Sequence, residues 1–212
     1  MSSRFEGLAG IVPTVSRETF QQLEAFEGQF LKWAQKINLS APSTLSDVWN
    51  RHILDSAQLL PLAPQARVWL DLGSGGGFPG LVLAFLLRGE KGRAIDLVES
   101  NRKKAGFLQA MIGQFGLPAR VHAQRVDDLS PELTRPDVVT ARAVAPLPVL
   151  FELTERWLAK GSSGLFHKGR DYADEIKETS KNWTFDLVEH RSKTDSQGVI
   201  LEITDISRRT KS

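Results

Sequence analysis

Between Trp69 and Gly80 the chain reads WLDLGSGGGFPG, five glycines in twelve residues directly behind an apolar run. Glycine loses more backbone freedom on folding than any other residue, so such a cluster weakens ordinary structure unless a tight turn or a close approach to the backbone requires it. Arg67–Gly73 reads as a strand, and the apolar run after Pro79 reads as a helix stopped near Gly89 and Gly92. A glycine loop between a strand and a helix is where an open parallel sheet meets its ligand.

The rest of the chain repeats that rhythm. Further strands are predicted at RAIDLVES, ARVHA, PDVVTARAV and SGLFHKG, separated by helices over 101–115, 146–160 and 171–181. Gly116 closes the first of these as a C-terminal cap. TFDLVEHRS and GVILEITDI alternate enough for an antiparallel pair at the end. Strands alternating with helices imply an α/β fold, a mostly parallel seven-stranded sheet with its last strand antiparallel and helices on both faces. Ahead of it, Phe20, Leu23, Phe26, Phe30, Trp33 and Ile37 recur at helical spacing over 16–37, with Ser16 as N-cap. A second helix is predicted over about 45–60, with Val48, Trp49, His52, Ile53 and Leu60 inward, before the breaker PLAPQAR. The expected organisation is a helical extension, 1–65, and an α/β domain, 66–212.

Several function classes fall away on composition. The chain has no cysteine, which excludes disulfides, cysteine-based metal centres and a thiol nucleophile. Its longest apolar run, LVLAFLL, is too short to span a bilayer, and MSSRFEGLAGIVP lacks the core of a signal peptide, so a cytoplasmic protein is expected. A net charge of +2 permits a basic face for an anionic partner without demanding one.

Two cofactors use loops of this kind. The dinucleotide pattern Gly-x-Gly-x-x-Gly fails from Gly73, where the sixth position is Phe78; it fits from Gly75, two residues late for the turn. The pattern Asp-x-Gly-x-Gly-x-Gly is met by Asp71, Gly73, Gly75 and Gly77, and resembles the first motif of S-adenosylmethionine-dependent methyltransferases. That ligand carries an amino acid end whose ammonium an acid can receive. Glu99, at the end of the second predicted strand, is placed to accept both hydroxyls of a ribose, which serves either cofactor. Asp127, after the third, is placed to accept from an adenine amino group.

The segments taken together are similar to the bacterial glucose-inhibited division protein B family, methyltransferases that make 7-methylguanosine in small-subunit ribosomal RNA. NLS at 38–40, RHILDS at 51–56, DLGSGGGFPG, RVDDL at 125–129, ARAVAPL at 141–147 and KG at 168–169 follow in the family's order. Two departures are mild: Glu99 stands where Asp is frequent, and Gly76 where Pro is frequent. The resemblance implies a class I methyltransferase of Rossmann-like fold. It implies S-adenosylmethionine as cofactor, and small-subunit (16S) ribosomal RNA or a ribosomal particle as partner. It also implies cofactor contacts at Gly73, Phe78, Val126, Asp127 and Arg142, with Arg142 in the active site. Nothing in the last forty residues matches a family motif. A monomer with no membrane association is expected.

The chemistry agrees with that resemblance. Ring nitrogen 7 of guanine has a free lone pair and no proton to lose, so its methylation needs no general base and no covalent nucleophile. Arg142 stands in an apolar run and is expected to bond either the guanine carbonyl oxygen or a phosphate, or else to pair with Asp71 or Asp137. Lys168 and Arg170, after the fifth strand, are expected on the same rim, facing phosphate. Asn38, Arg51 and His52 complete the expected substrate-binding set, with Arg51 and Asp55 spaced for a simple surface pair. Arg102–Lys104 begin a helix, where positive charge opposes the helix dipole; an anionic partner or nearby Glu99 would account for them.

Overall fold

A computed structural model describes residues 3–130 and 135–210. Seven strands form one sheet: β1 (Val68–Leu72), β2 (Ala94–Val98), β3 (Ala119–His122), β4 (Val138–Arg142), β5 (Ser163–Lys168), β6 (Trp183–Arg191) and β7 (Val199–Arg208). Their order is β3-β2-β1-β4-β5-β7-β6. All pairings up to β4–β5 are parallel, while β7 runs antiparallel to both β5 and β6. Strand order reverses between β1 and β4, so a ligand crevice opens at their carboxyl ends.

The pleat of β1 shows how the core is divided. Trp69 points to one face and Leu70 and Leu72 to the other, and all three are buried. The second face is covered by α6 (Leu147–Leu158), with Phe151, Leu158 and Trp157 packed on Val139, Phe166 and Leu201. α7 (Tyr172–Thr179) joins that layer. The first face carries α4 (Gly80–Leu87) and α5 (Arg102–Phe115). α4 is apolar all round and almost wholly buried, because a further layer covers the side turned away from the sheet.

That outer layer is the N-terminal segment. α1 (Ser3–Ile11) and α2 (Arg17–Ala34) come first. The Ser16 side chain accepts a hydrogen bond from the Thr19 amide at 3.0 Å, capping α2 as expected. Phe26 of α2 meets Phe78, Phe85 and Phe107, with ring centroids 5.7, 5.4 and 6.5 Å away. α2 ends at Ala34, three residues before its predicted end, and α1 was not anticipated at all.

The single helix expected over 45–60 is not what forms. A 3₁₀ turn spans Pro42–Asp47, a π-helical turn Trp49–Leu54, one α-turn α3 (Asp55–Ala57), and another 3₁₀ turn Leu60–Leu62. Proline at 42 and 61 suits the first turns of such short pieces and limits a continuous helix. The wide π turn brings Trp49, His52, Ile53 and Leu54 inward together. π turns of this kind recur at functional sites, and this one faces the crevice.

Candidate active site

The crevice is a cavity of about 1020 Å³, walled by the glycine loop, the π turn, the segment after β4 and the end of β5. Gly73, Gly75 and Gly77 have φ values of 62, 52 and 88°, in the left-handed region that side chains disfavour. A Cβ on Gly73 would stand 2.8 Å from the Val144 side chain, whereas one on Gly75 would meet nothing nearer than 3.6 Å. Gly75 therefore leaves open space that a side chain would fill. Gly80 has a different reason: its Cβ would collide with Leu97 and lie 2.6 Å from a carboxylate oxygen of Asp71. Close approach of α4 to the sheet demands that glycine.

Asp71 lies beneath the loop, fully buried, and off the cavity wall. Its Oδ1 accepts from the Thr140 hydroxyl at 2.8 Å, which ties β1 to β4 at the reversal point. Burial pushes its pKa up to about 6; the Ser74 and Thr140 hydroxyls, the Gly80 amide and the Arg142 charge pull the other way. Glu99 is also buried. Its Oε2 accepts from the Gly75 amide at 2.9 Å and its Oε1 from the Asn101 amide at 2.7 Å. An acid at the end of β2 thus braces the loop of β1. Val126 and Asp127 lie in a 3₁₀ turn, Val126–Asp128, with Asp127 exposed. Arg156 anchors that turn by donating to the carbonyls of Val126 and Leu129.

Arg142 ends β4 inside the cavity. One of its terminal nitrogens donates to the Arg51 carbonyl at 3.0 Å and to Asp55 Oδ2 at 3.1 Å, and the other meets His52 Nδ1. Its guanidinium sits 5.6 Å from the centre of the Phe78 ring, on which the His52 ring is stacked at 4.8 Å. His52 Nδ1 can accept from an arginine only if it carries no proton, so its proton is on Nε2. Nε2 faces the hydroxyls of Thr44 and Ser40 at 3.0 and 3.1 Å. Burial, followed by the Arg142 charge, lowers the His52 pKa to about 4, which keeps the ring neutral. Asp55 completes the support: its Oδ1 accepts from Thr194 at 3.0 Å and Gln58 at 3.1 Å. His167 Nε2 donates to the Asp55 carbonyl at 3.1 Å.

The partner of Arg142 is therefore Asp55, in place of the expected Asp71 or Asp137. Asp137 accepts from the amides of Arg67 and Val68 instead. Arg51 is exposed and, among the described residues, has no ion pair with Asp55: the π turn breaks the four-residue alignment that a simple α-helix would have given them. A second correction concerns Lys168. Its side chain is buried, donating to the Ala145 carbonyl at 2.8 Å and to Glu175 at 2.7 Å, so it is not a free rim cation. Arg170 is exposed and holds Gln197 at 2.8 Å. Asn38 is exposed beside a second, smaller cavity. Asp55 and His167 were missed as site residues, although RHILDS contains the first and SGLFHKG the second.

The residues present fit S-adenosylmethionine: left-handed glycines leave an open cradle at Gly75, and an acid braces that cradle from the end of β2. Sheet order, glycine loop and acid together define a class I S-adenosylmethionine-dependent methyltransferase. The ribosomal protein L11 methylase from Lactobacillus delbrueckii subsp. bulgaricus has the same fold, with a TM-score of 0.54 at 14% identity over 76% of this chain and 79% of that one. Residues 19–203 match the family described as rRNA small subunit methyltransferase G, and the chain belongs to that family. It is 54% identical to the Ribosomal RNA small subunit methyltransferase G of Chelativorans sp. (strain BNC1), over 98% of this chain and 99% of that protein. With the protein of the same name from Brucella anthropi it shares 56% identity, over 98% and 97% of the two chains.

Proposed function

We infer that the chain transfers the methyl group of S-adenosylmethionine to ring nitrogen 7 of a guanosine in small-subunit ribosomal RNA. The observation that carries this reading is the support of Arg142. A guanidinium fixed by a neutral histidine, a carboxylate and a carbonyl is a positioned donor, and its setting positions a cation instead of freeing a base. S-adenosylmethionine supplies an electrophilic methyl group on a sulfonium. The chain's task is then alignment, which is worth up to roughly 7–11 kcal/mol in favourable cases. Arg142 keeps its Nε–H and one terminal N–H outside the bonds described above. In this reading they donate to the guanine carbonyl oxygen, which leaves nitrogen 7 unobstructed.

In the same reading Gly73, Gly75, Gly77 and Phe78 hold the cofactor. Glu99 receives the ribose hydroxyls, and Val126 and Asp127 receive the adenine. Asp71 acts from below by holding the loop to β4. Asn38, Arg51, His52 and Arg170 belong to the RNA side, with Lys168 shaping the segment after Arg142. Residues 1–65 act as a helical extension that completes the site of the domain 66–212. The protein works as a cytoplasmic monomer; among the described residues no helix is long and apolar enough to cross a membrane. The test is transfer of isotopically labelled methyl to purified small subunits that lack the modification, followed by nucleoside analysis. Labelled 7-methylguanosine is expected. Label in any other nucleoside, or none in the RNA, overturns the reading.

A further inference from the structure

Three consecutive cations, Arg102, Lys103 and Lys104, open α5. Positive charge in the first turn of a helix works against the dipole, so their presence costs stability there. Glu99, three to five residues earlier, could have compensated them. It forms no ion pair with them: its carboxylate is turned to the backbone amides of Gly75 and Asn101, one on each oxygen. The Asn101 side chain caps α5 by accepting from the amides of Lys103 and Lys104 at 3.0 and 3.2 Å. Among the described residues, no ion pair involves any of the three cations, nor Lys36, which follows α2.

These cations converge from two elements. Lys36, Lys103 and Lys104 line the second cavity, of about 430 Å³, together with Ile37, Asn38 and Asn101. Its lining holds no acid and one apolar side chain, which suits a polyanion and not an apolar partner. Lys104 also lines the reaction cavity, so one side chain borders both. Lys36, Arg102 and Lys103 are exposed and Lys104 is half-buried between the cavities.

We propose that Lys36, Arg102, Lys103 and Lys104 form a platform for the phosphodiester backbone of the RNA, which enters the reaction cavity past Lys104. This rests on the reading of the chain as an RNA methyltransferase and adds the face on which the RNA lies. Cations of this kind hold phosphates without reading bases, so the platform sets the register of the strand and leaves choice of nucleotide to the cavity.

The experiment uses the full chain with Lys36→Gln and Lys103→Gln together, two exposed positions outside the machinery around Arg142. A control pair, Lys91→Gln with Lys160→Gln, removes the same charge at the amino ends of β2 and β5. Binding of small-subunit RNA is measured across a salt series, beside S-adenosylhomocysteine affinity and single-turnover methylation at saturating RNA. In the platform variant RNA affinity at physiological ionic strength is expected to fall about tenfold or more. The slope of log K against log salt should shrink by about one unit per lost contact. Cofactor affinity and saturated turnover should stay at wild-type values, and the control pair should leave the slope unchanged. Wild-type affinity and slope in the platform variant, or an equal change in the control, overturns the proposal. The expected loss of affinity and slope in the platform variant, together with methylation of a different atom by the unsubstituted chain, would instead overturn the inferred chemistry and leave the platform standing.

Discussion

Arg142 meets His52 through a donated proton and Asp55 through charge, and the two contacts respond differently to substitution. Arg142→Lys keeps a cation opposite Asp55 but cannot reach the Arg51 carbonyl, Asp55 and His52 at once, because an ammonium lacks the planar fork. Its melting temperature should stay within a few degrees of wild type. Its single-turnover methylation should fall by the loss of about 2–4 kcal/mol of barrier stabilisation, the scale of one preorganised donor. Near-wild-type turnover would remove Arg142 from the active site. Arg142→Ala differs in leaving a shielded Asp55 without its partner, and should melt distinctly lower. Asp71 gives a prediction that pH reads directly. Its carboxyl titrates near 6 in the folded chain against 3.8 otherwise, so the folded state holds the proton more tightly. Stability from this group is therefore greatest below pH 4 and is lost as pH rises through about 6, by roughly 3 kcal/mol at most. His52 works in the opposite sense: its lowered pKa favours folding above 6.5 and withdraws that support as pH falls toward 4. Asp71→Asn isolates the first effect, since its amide oxygen still accepts from Thr140. Melting curves from pH 4 to 7 should show the variant gaining on wild type as pH rises. Parallel curves would mean that Asp71 carries no such strain.

At the scale of elements, the glycine loop divides into positions that border open space and positions that serve packing. Gly75→Val points a branched side chain into open space at a left-handed φ. The strain there is of order 1–3 kcal/mol, and S-adenosylhomocysteine affinity by calorimetry should collapse while the chain still folds. Gly80→Ala drives a methyl group into Leu97 and Asp71, so it should cost about 1–3 kcal/mol in chemical denaturation. Gly75→Val with normal affinity, or Gly80→Ala with unchanged stability, would reverse this division. The loop was legible in the sequence because glycine, an apolar strand and an apolar helix meet there, and the alternation from β1 to β5 was legible for the same reason. The turns over 42–62 were not. Val48, Trp49, His52 and Ile53 satisfy an α-helical face and a π turn equally well, so their spacing does not tell the two apart. That one misreading also concealed Asp55 as the partner of Arg142. Lys168 misled for another reason: its position after β5 is at the rim, but Glu175, seven residues on, folds back to cover it.

The whole molecule has its N-terminal layer and one face of its sheet in a single core, with Leu8, Phe26 and Trp49 joined to Phe85, Phe107 and Trp69. The full chain should accordingly melt in one transition, and residues 66–212 alone should not reach a stable fold. Two separated calorimetric transitions, or a well-folded fragment, would show that the layers are independent. The same layer brings His52 and Asp55 to Arg142, so the site is assembled from both ends of that core. Chain order then has a consequence during synthesis. The aromatic face of α2 is complete at Ala34, but α5, which supplies Phe107 against Phe26, Phe30 and Trp33, ends only at Phe115. At about 5–20 residues per second, that face waits on the order of 4–16 s beyond the ribosomal exit before its cover arrives. An enzyme that modifies ribosomal RNA thus presents the aromatic face of its own α2 to the translating ribosome and its chaperones each time it is made.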